Sequence, residues 1–221
     1  MKKLFFAVAM FGCMLTAGAE EATLFYNPDN HAYFGARLGV DISSTGGSNT
    51  GVYNNGAGFT VGAVYNMPIY KNLYFEPGLS LFYNTFGQQV LKSVEIEEGM
   101  PIYYLLDSSI RNLGFRIPMI FGYNFDFTDD IRIAPFTGPQ LNYSFVSRFH
   151  SNEDELKDFN GSIFGEYGFK HFDIQWVFGV GVTYQKYYVS ISGGVGMTRC
   201  MDLTNDHFRR NTFNISLGYN F

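Results

Sequence analysis

The sequence predicts an all-β protein, an eight-stranded antiparallel up-and-down transmembrane β-barrel, on three observations. Eight segments alternate apolar with small or polar residues at period two, as half-buried strands do. No charge occurs on the apolar side of any of them. Beyond residue 19 the chain has no apolar run of the ~18 or more residues a membrane helix needs, although it holds 24 Phe and 16 Tyr.

In chain order the strands are expected near residues 32–42, 57–67, 73–84, 112–125, 132–145, 172–184, 187–197 and 211–221. Each approaches or exceeds the ~9–11 residues with which a tilted strand crosses hydrocarbon. The first presents Phe34, Ala36, Leu38 and Val40 on one face, the second Phe59, Val61, Ala63 and Tyr65, and the third Phe75, Leu79, Leu81 and Tyr83. Phe115, Ile117, Met119, Phe121 and Tyr123 follow on the fourth, and Ile133, Leu141, Tyr143 and Phe145 on the fifth. The sixth carries Phe172, Ile174, Trp176, Phe178, Val180 and Val182, the seventh Val189, Ile191 and Val195, and the eighth Phe213, Ile215, Leu217 and Tyr219. Arg or Lys facing lipid at mid-depth costs about 2–4 kcal/mol, so an uncharged face is what contact with lipid demands.

The opposite faces are polar and studded with glycine, from Gly35, Arg37, Gly39 and Asp41 in the first strand to Asn214, Ser216 and Gly218 in the last. An eight-stranded barrel is only just wide enough for side chains to fill it, so a plugged lumen without a steady pore is expected. Arg37, Asp41, Glu76, Arg116 and Asp173 should pair there as an ion network, with Tyr74, Phe82 and Phe136 filling the space around them. In a soluble lipocalin the apolar face would line a cavity instead. The facing predicts that Ile117→Arg or Phe178→Arg blocks insertion, whereas Asn142→Arg is better tolerated.

Met1-Lys2-Lys3, the apolar run from Leu4 to Leu15 and Ala17-Gly18-Ala19 have the three regions of a secretory signal peptide. Residues 1–19 are therefore expected to be removed and residues 20–221 to form one barrel domain. A lipobox at Met10-Phe11-Gly12-Cys13 competes, but Met10 and Phe11 fit it poorly and the apolar run continues past Cys13. Loss of Lys2 and Lys3 leaves 13 of the 15 basic residues against 20 acidic ones, which argues against nucleic acid as a partner. Cys200 becomes the only thiol, so stability must come from the backbone ladder rather than from a disulfide.

Connection lengths give an orientation. Those at Met67–Asn72, Asp126–Ile131 and Gln185-Lys186 are short, and those at Ser43–Gly56, Thr85–Arg111, Val146–His171 and Thr198–Arg210 are long. Short periplasmic turns and long external loops place both termini in the periplasm of an outer membrane. Tyr65, Tyr123, Tyr184 and Tyr219 then form an aromatic girdle at the inner interface. The terminal aromatic, Phe221, is the feature such barrels present to their assembly machinery.

Phe115-Arg116-Ile117-Pro118-Met119-Ile120-Phe121-Gly122-Tyr123-Asn124-Phe125 resembles the Leu-x-Ile-Pro-Leu-x-Leu-x-Tyr-x-Phe strand of the PorT-like outer-membrane barrel family, common in Bacteroidetes. Gly138-Pro139, Phe178-Gly179-Val180-Gly181 and the ending Leu217–Phe221 are similar to that family too. Phe115 stands where leucine is usual. The resemblance implies an eight-stranded barrel of OmpA/OmpX-like architecture, and its link to PorT implies an accessory role in type IX protein secretion.

No catalytic, cofactor-binding or metal site is assigned. His150-Ser151-Asn152 has the residue types of outer-membrane lipid hydrolases, but three consecutive side chains cannot line up as base, nucleophile and orienter without an unusual turn. Glu153-Asp154-Glu155 with Asp158 offers oxygen ligands for Ca²⁺ but lacks the spacing and glycine of an EF-hand, and reads as a solvated charge run. Gln88–Ile96 and Pro101–Leu106 are strand-like on both sides of Glu97-Glu98-Gly99-Met100, so the third and fourth strands should continue past the membrane as a hairpin. The expected function is that of a non-enzymatic, monomeric barrel. Its partners are outer-membrane lipids and an extracellular or secretion-system protein met by the loops, with a lipid-modifying enzyme as the remote alternative.

Overall fold

The computed structural model describes residues 31–46, 55–95, 101–128, 130–150, 161–164, 170–203 and 206–221. The expected signal peptide lies outside these. Eight strands are present: β1 Tyr33–Gly46, β2 Gly56–Tyr70, β3 Leu73–Glu95, β4 Pro101–Tyr123, β5 Ile131–His150, β6 Phe172–Tyr184, β7 Tyr187–Gly196 and β8 Asp206–Asn220. Each pairs antiparallel with its neighbour in sequence, and β1 pairs with β8 from Gly35↔Asn220 to Gly46↔Arg209, closing the sheet. Short pieces at Phe125–Asp126 and Gly161–Ser162 add to β5, and Met201–Leu203 adds to β8.

The alternation decides which way each side chain points. Leu38, Phe59, Phe115, Trp176, Phe178, Ile191 and Leu217 are all exposed on the outer surface, while Asp41, Asn84, Asn142 and Gln175 are completely buried inside. This is an inverted globular protein, apolar outside and polar within, as a barrel immersed in lipid must be. Phe34–Tyr65, Tyr123–Phe125, Tyr187–Tyr219 and Tyr219–Phe221 ring contacts gather the expected aromatic girdle at the end that carries the tight turns. Lys71 and Gln185, which open two of these turns, take left-handed φ values of 50° and 53°, so each two-residue connection reverses the chain with an L-residue where glycine is favoured.

Strands β5 and β8 run farther at the loop end than the sequence pattern indicates, and β3 and β4 continue past the membrane as expected. β3 and β4 each have 23 residues, more than twice what crosses hydrocarbon, and pair continuously out to Glu95↔Pro101. The expected hairpin is therefore present; its tip, residues 96–100, lies outside the described residues. Much of the Thr85–Arg111 connection is thus strand, as are Val146–His150, Arg209 and Arg210.

One irregularity changes the facing of a whole strand end. Leu113 pairs with Val146 but the next residue, Gly114, pairs with Ser144, so Phe145 and Val146 together oppose one position of β4. Such a bulge inserts an extra residue and reverses the parity beyond it. Below it the even residues Gln140, Asn142 and Ser144 point inward; above it Ser147 does, fully buried. Phe149 follows Ser147 and packs against the buried cluster of Phe86, Ile110 and Cys200.

Candidate functional site

The lumen is occupied in layers. At the turn end, the Arg37 guanidinium donates to Asn220 Oδ1 at 2.8 Å, lies 3.6 Å from Glu76 Oε2 and stacks 4.0 Å above the Tyr188 ring. Asn66 donates to the same Glu76 oxygen at 3.2 Å. Two glycines make room for the tyrosines that cap this end: a Cβ on Gly122 would sit 2.3 Å from the Tyr74 ring, and one on Gly181 2.6 Å from the Tyr188 ring.

Toward the loop end a second, larger network crosses the barrel. Asp41 accepts from Asn214 at 2.8 Å and from Arg116 at 3.2 Å; Arg116 Nε donates to Asn142 at 3.2 Å; Asn142 donates to Asp173 at 3.3 Å; and Arg210 closes on Asp173. The Phe82 ring lies between the Arg116 and Arg210 guanidiniums, 5.3 and 5.2 Å from them. Gln175 ties this chain to its neighbours, accepting from Gln140 at 3.0 Å and donating to the Arg210 carbonyl at 3.0 Å. Each buried charge thus has an opposite charge beside it, while Arg37 Nη2, Asp41 Oδ2, Arg116 Nη2 and Arg210 Nε have no hydrogen-bond partner among the described residues.

Between the two networks a cavity of about 100 Å³ is lined by hydroxyls, among them Thr60, Ser80, Ser190, Ser192 and Ser216, and by apolar side chains that include Val64, Ile120, Phe136 and Val177. It has room for a few waters, not for a passing solute. Above the second network the apolar residues Phe86, Ile110 and Cys200, backed by Phe149, Ile163 and Phe164, fill the loop end.

All five charges expected in the lumen are there, paired as Arg37–Glu76, Arg116–Asp41 and Asp173 with a partner the sequence reading placed in a loop, Arg210. That is a correction, and it completes a balance of three arginines against three acids. The signal was present, because Arg210 has the same parity as Asn214 and Ser216. Asn142 faces the lumen as expected, but in a tightly bonded position. Asn142 is fully buried and bonded to Arg116, Gln140 and Asp173, so a third cation there would face two arginines.

His150 ends β5, where its carbonyl accepts from Ser109 at 3.3 Å; Ser151 and Asn152 lie outside the described residues, as do Glu153, Asp154, Glu155 and Asp158. Among the described residues no group of His, Cys, Asp and Glu side chains is arranged to hold a metal. Burial pushes the Cys200 thiol up to about 12, and the Asp173 carboxylate adds to the shift. The reactive thiolate is therefore scarce at neutral pH. Cys200 is expected to resist maleimide in the folded barrel at pH 8 and to react within minutes after heating in SDS; rapid labelling of the unheated protein would contradict its burial.

The closed register, the apolar exterior and the paired lumen together define a small antiparallel membrane barrel. Solved structures of similar shape include Ail, the attachment invasion locus protein of Yersinia pestis, in complex with sucrose octasulfate (13% identity, TM-score 0.43), and Neisserial surface protein A (13%, 0.44). The match covers 87% of this chain and 100% of each of those. LpxR from Salmonella typhimurium aligns more distantly, at 8% identity and TM-score 0.31, over 86% of this chain and 100% of its own. These likenesses assign no ligand or activity. No protein-family model and no curated protein matches the chain, so the PorT-like resemblance rests on the residues quoted for it.

Proposed function

We propose that the chain is an outer-membrane barrel with both termini in the periplasm, non-enzymatic, whose task is carried by the surfaces at its loop end. The observation that supports this is the lumen: among the described residues, paired ions, capping tyrosines and an apolar plug occupy it, so the loop end is where a partner can be met. The β3–β4 hairpin is the strongest candidate surface. Beyond Asn84 on β3 and before Ser109 on β4, these strands pair only with each other among the described residues, leaving backbone edges of the kind that accept another strand.

Purified barrel in planar bilayers should give no steady conductance, and shortening residues 88–106 to a tight turn should leave folding intact while abolishing any binding phenotype of a deletion strain. Reproducible channels, or a phenotype that survives the shortening, would move the function elsewhere. An accessory role in type IX secretion is a second reading, favoured by the PorT-like strand Phe115–Phe125. An unchanged secreted proteome after gene deletion would remove it.

A further inference from the structure

We propose that Arg111 and Arg148 form a site on the outer wall of the barrel for the phosphate of a lipid headgroup in the leaflet at the loop end. The two residues are directly opposite in the β4–β5 register, and both are exposed. Residues so paired have Cα atoms ~4.5–5.5 Å apart, and like charges placed there repel. The β5 bulge creates the juxtaposition. Without its extra residue, Arg148 would keep the inward parity of Asn142 and Ser144; with it, Phe149 turns in to seal the lumen and Arg148 turns out beside Arg111.

The height of the pair selects the ligand. On the outer face of β4 the residues from Tyr123 to Leu113 are all apolar, and Arg111 is the first charge above them. Twelve residues at ~3.3 Å each, tilted by ~40°, span roughly 30 Å along the barrel axis, somewhat more than the ~25 Å apolar band of outer-membrane-type barrels. With Tyr123 in the girdle at one interface, Arg111 and Arg148 therefore lie at the headgroup level of the other. Below them Phe115, Tyr143 and Phe145 offer an acyl chain an exposed apolar wall. Two guanidiniums can grip one phosphate through parallel N–H···O bonds, which converts their repulsion into a shared attraction. Arg209, an exposed arginine on the far side of the barrel, faces Gly46 and has no arginine opposite it among the described residues.

The proposal rests on the reading that the loop end lies outside the cell, where outer-membrane lipids carry sugar-linked phosphates. The test is native mass spectrometry of the whole barrel in detergent with bisphosphorylated lipid A or the same lipid stripped of phosphate. Wild type should retain the phosphorylated lipid at least about tenfold better than Arg111→Gln/Arg148→Gln and at least about tenfold better than it retains the stripped lipid, as loss of charge-assisted bonds implies. Arg209→Gln should behave as wild type. Equal retention of the two lipids by wild type would overturn the site without appeal to any variant. So would equal retention by the double variant. Orientation is tested separately, by an impermeant maleimide on intact cells carrying Ser162→Cys in a Cys200→Ser background. Absent labelling with lipid binding intact would refute the orientation and move the phosphate site to the other leaflet.

Discussion

Asp173→Leu is expected to lower the unfolding free energy of the barrel by about 3–5 kcal/mol, because it strands Arg210 in a buried site and removes an acceptor from Asn142. Urea titration of the refolded protein in lipid vesicles measures it. The double variant Asp173→Leu/Arg210→Met should recover most of that loss, since removing both charges also removes the cost of keeping them from water. A single-variant loss under about 1 kcal/mol, or a double variant no better than the single, would mean the pair is solvated and the lumen wetter than its packing indicates.

Phe178→Arg should cost about 2–4 kcal/mol and prevent assembly, because Phe178 is 53% exposed on the outer wall at mid-strand and a cation there meets hydrocarbon. Ser192→Arg, one step across the β6–β7 ladder on the other face, enters the lumen cavity lined by Glu76 as well as by Arg37 and Arg116; it avoids hydrocarbon and should cost less than Phe178→Arg. The folded fraction of each, read from the mobility of unheated samples on gels, compares them. Equal assembly of both would mean that inside and outside have been exchanged, since a slip of one residue swaps every face of a strand.

Within the membrane the architecture was legible, because lipid on one side and a packed lumen on the other enforce alternation at every position from Leu38 to Val40 or Ile215 to Leu217. Beyond the hydrocarbon that enforcement ends. Arg210 reads as loop from sequence for this reason, and the continuation of β5 to His150 carries no sequence signal because the bulge at Phe145 breaks the period just where the strand leaves the membrane. The apolar plug of Phe86 and Ile110 was illegible for a related reason: apolar residues at inward positions contradict the facing rule that identifies the strands, and only the closed barrel reveals that they meet. Arg111 opposite Arg148 depends on that same bulge and could not be paired from sequence.

The seam between β1 and β8 also governs how the protein comes into being. Gly35 is matched to Asn220, and the last amide of the chain, Phe221 N–H, donates to the Phe34 carbonyl at 2.8 Å. β1 therefore waits for β8, and closure between them spans all six intervening strands, a strongly non-local contact. Until residue 206 has emerged, any partial barrel carries two raw edges whose amides and carbonyls the bilayer cannot satisfy. Insertion should accordingly be all-or-nothing, with chains that lack β8 failing to settle in the membrane as smaller barrels.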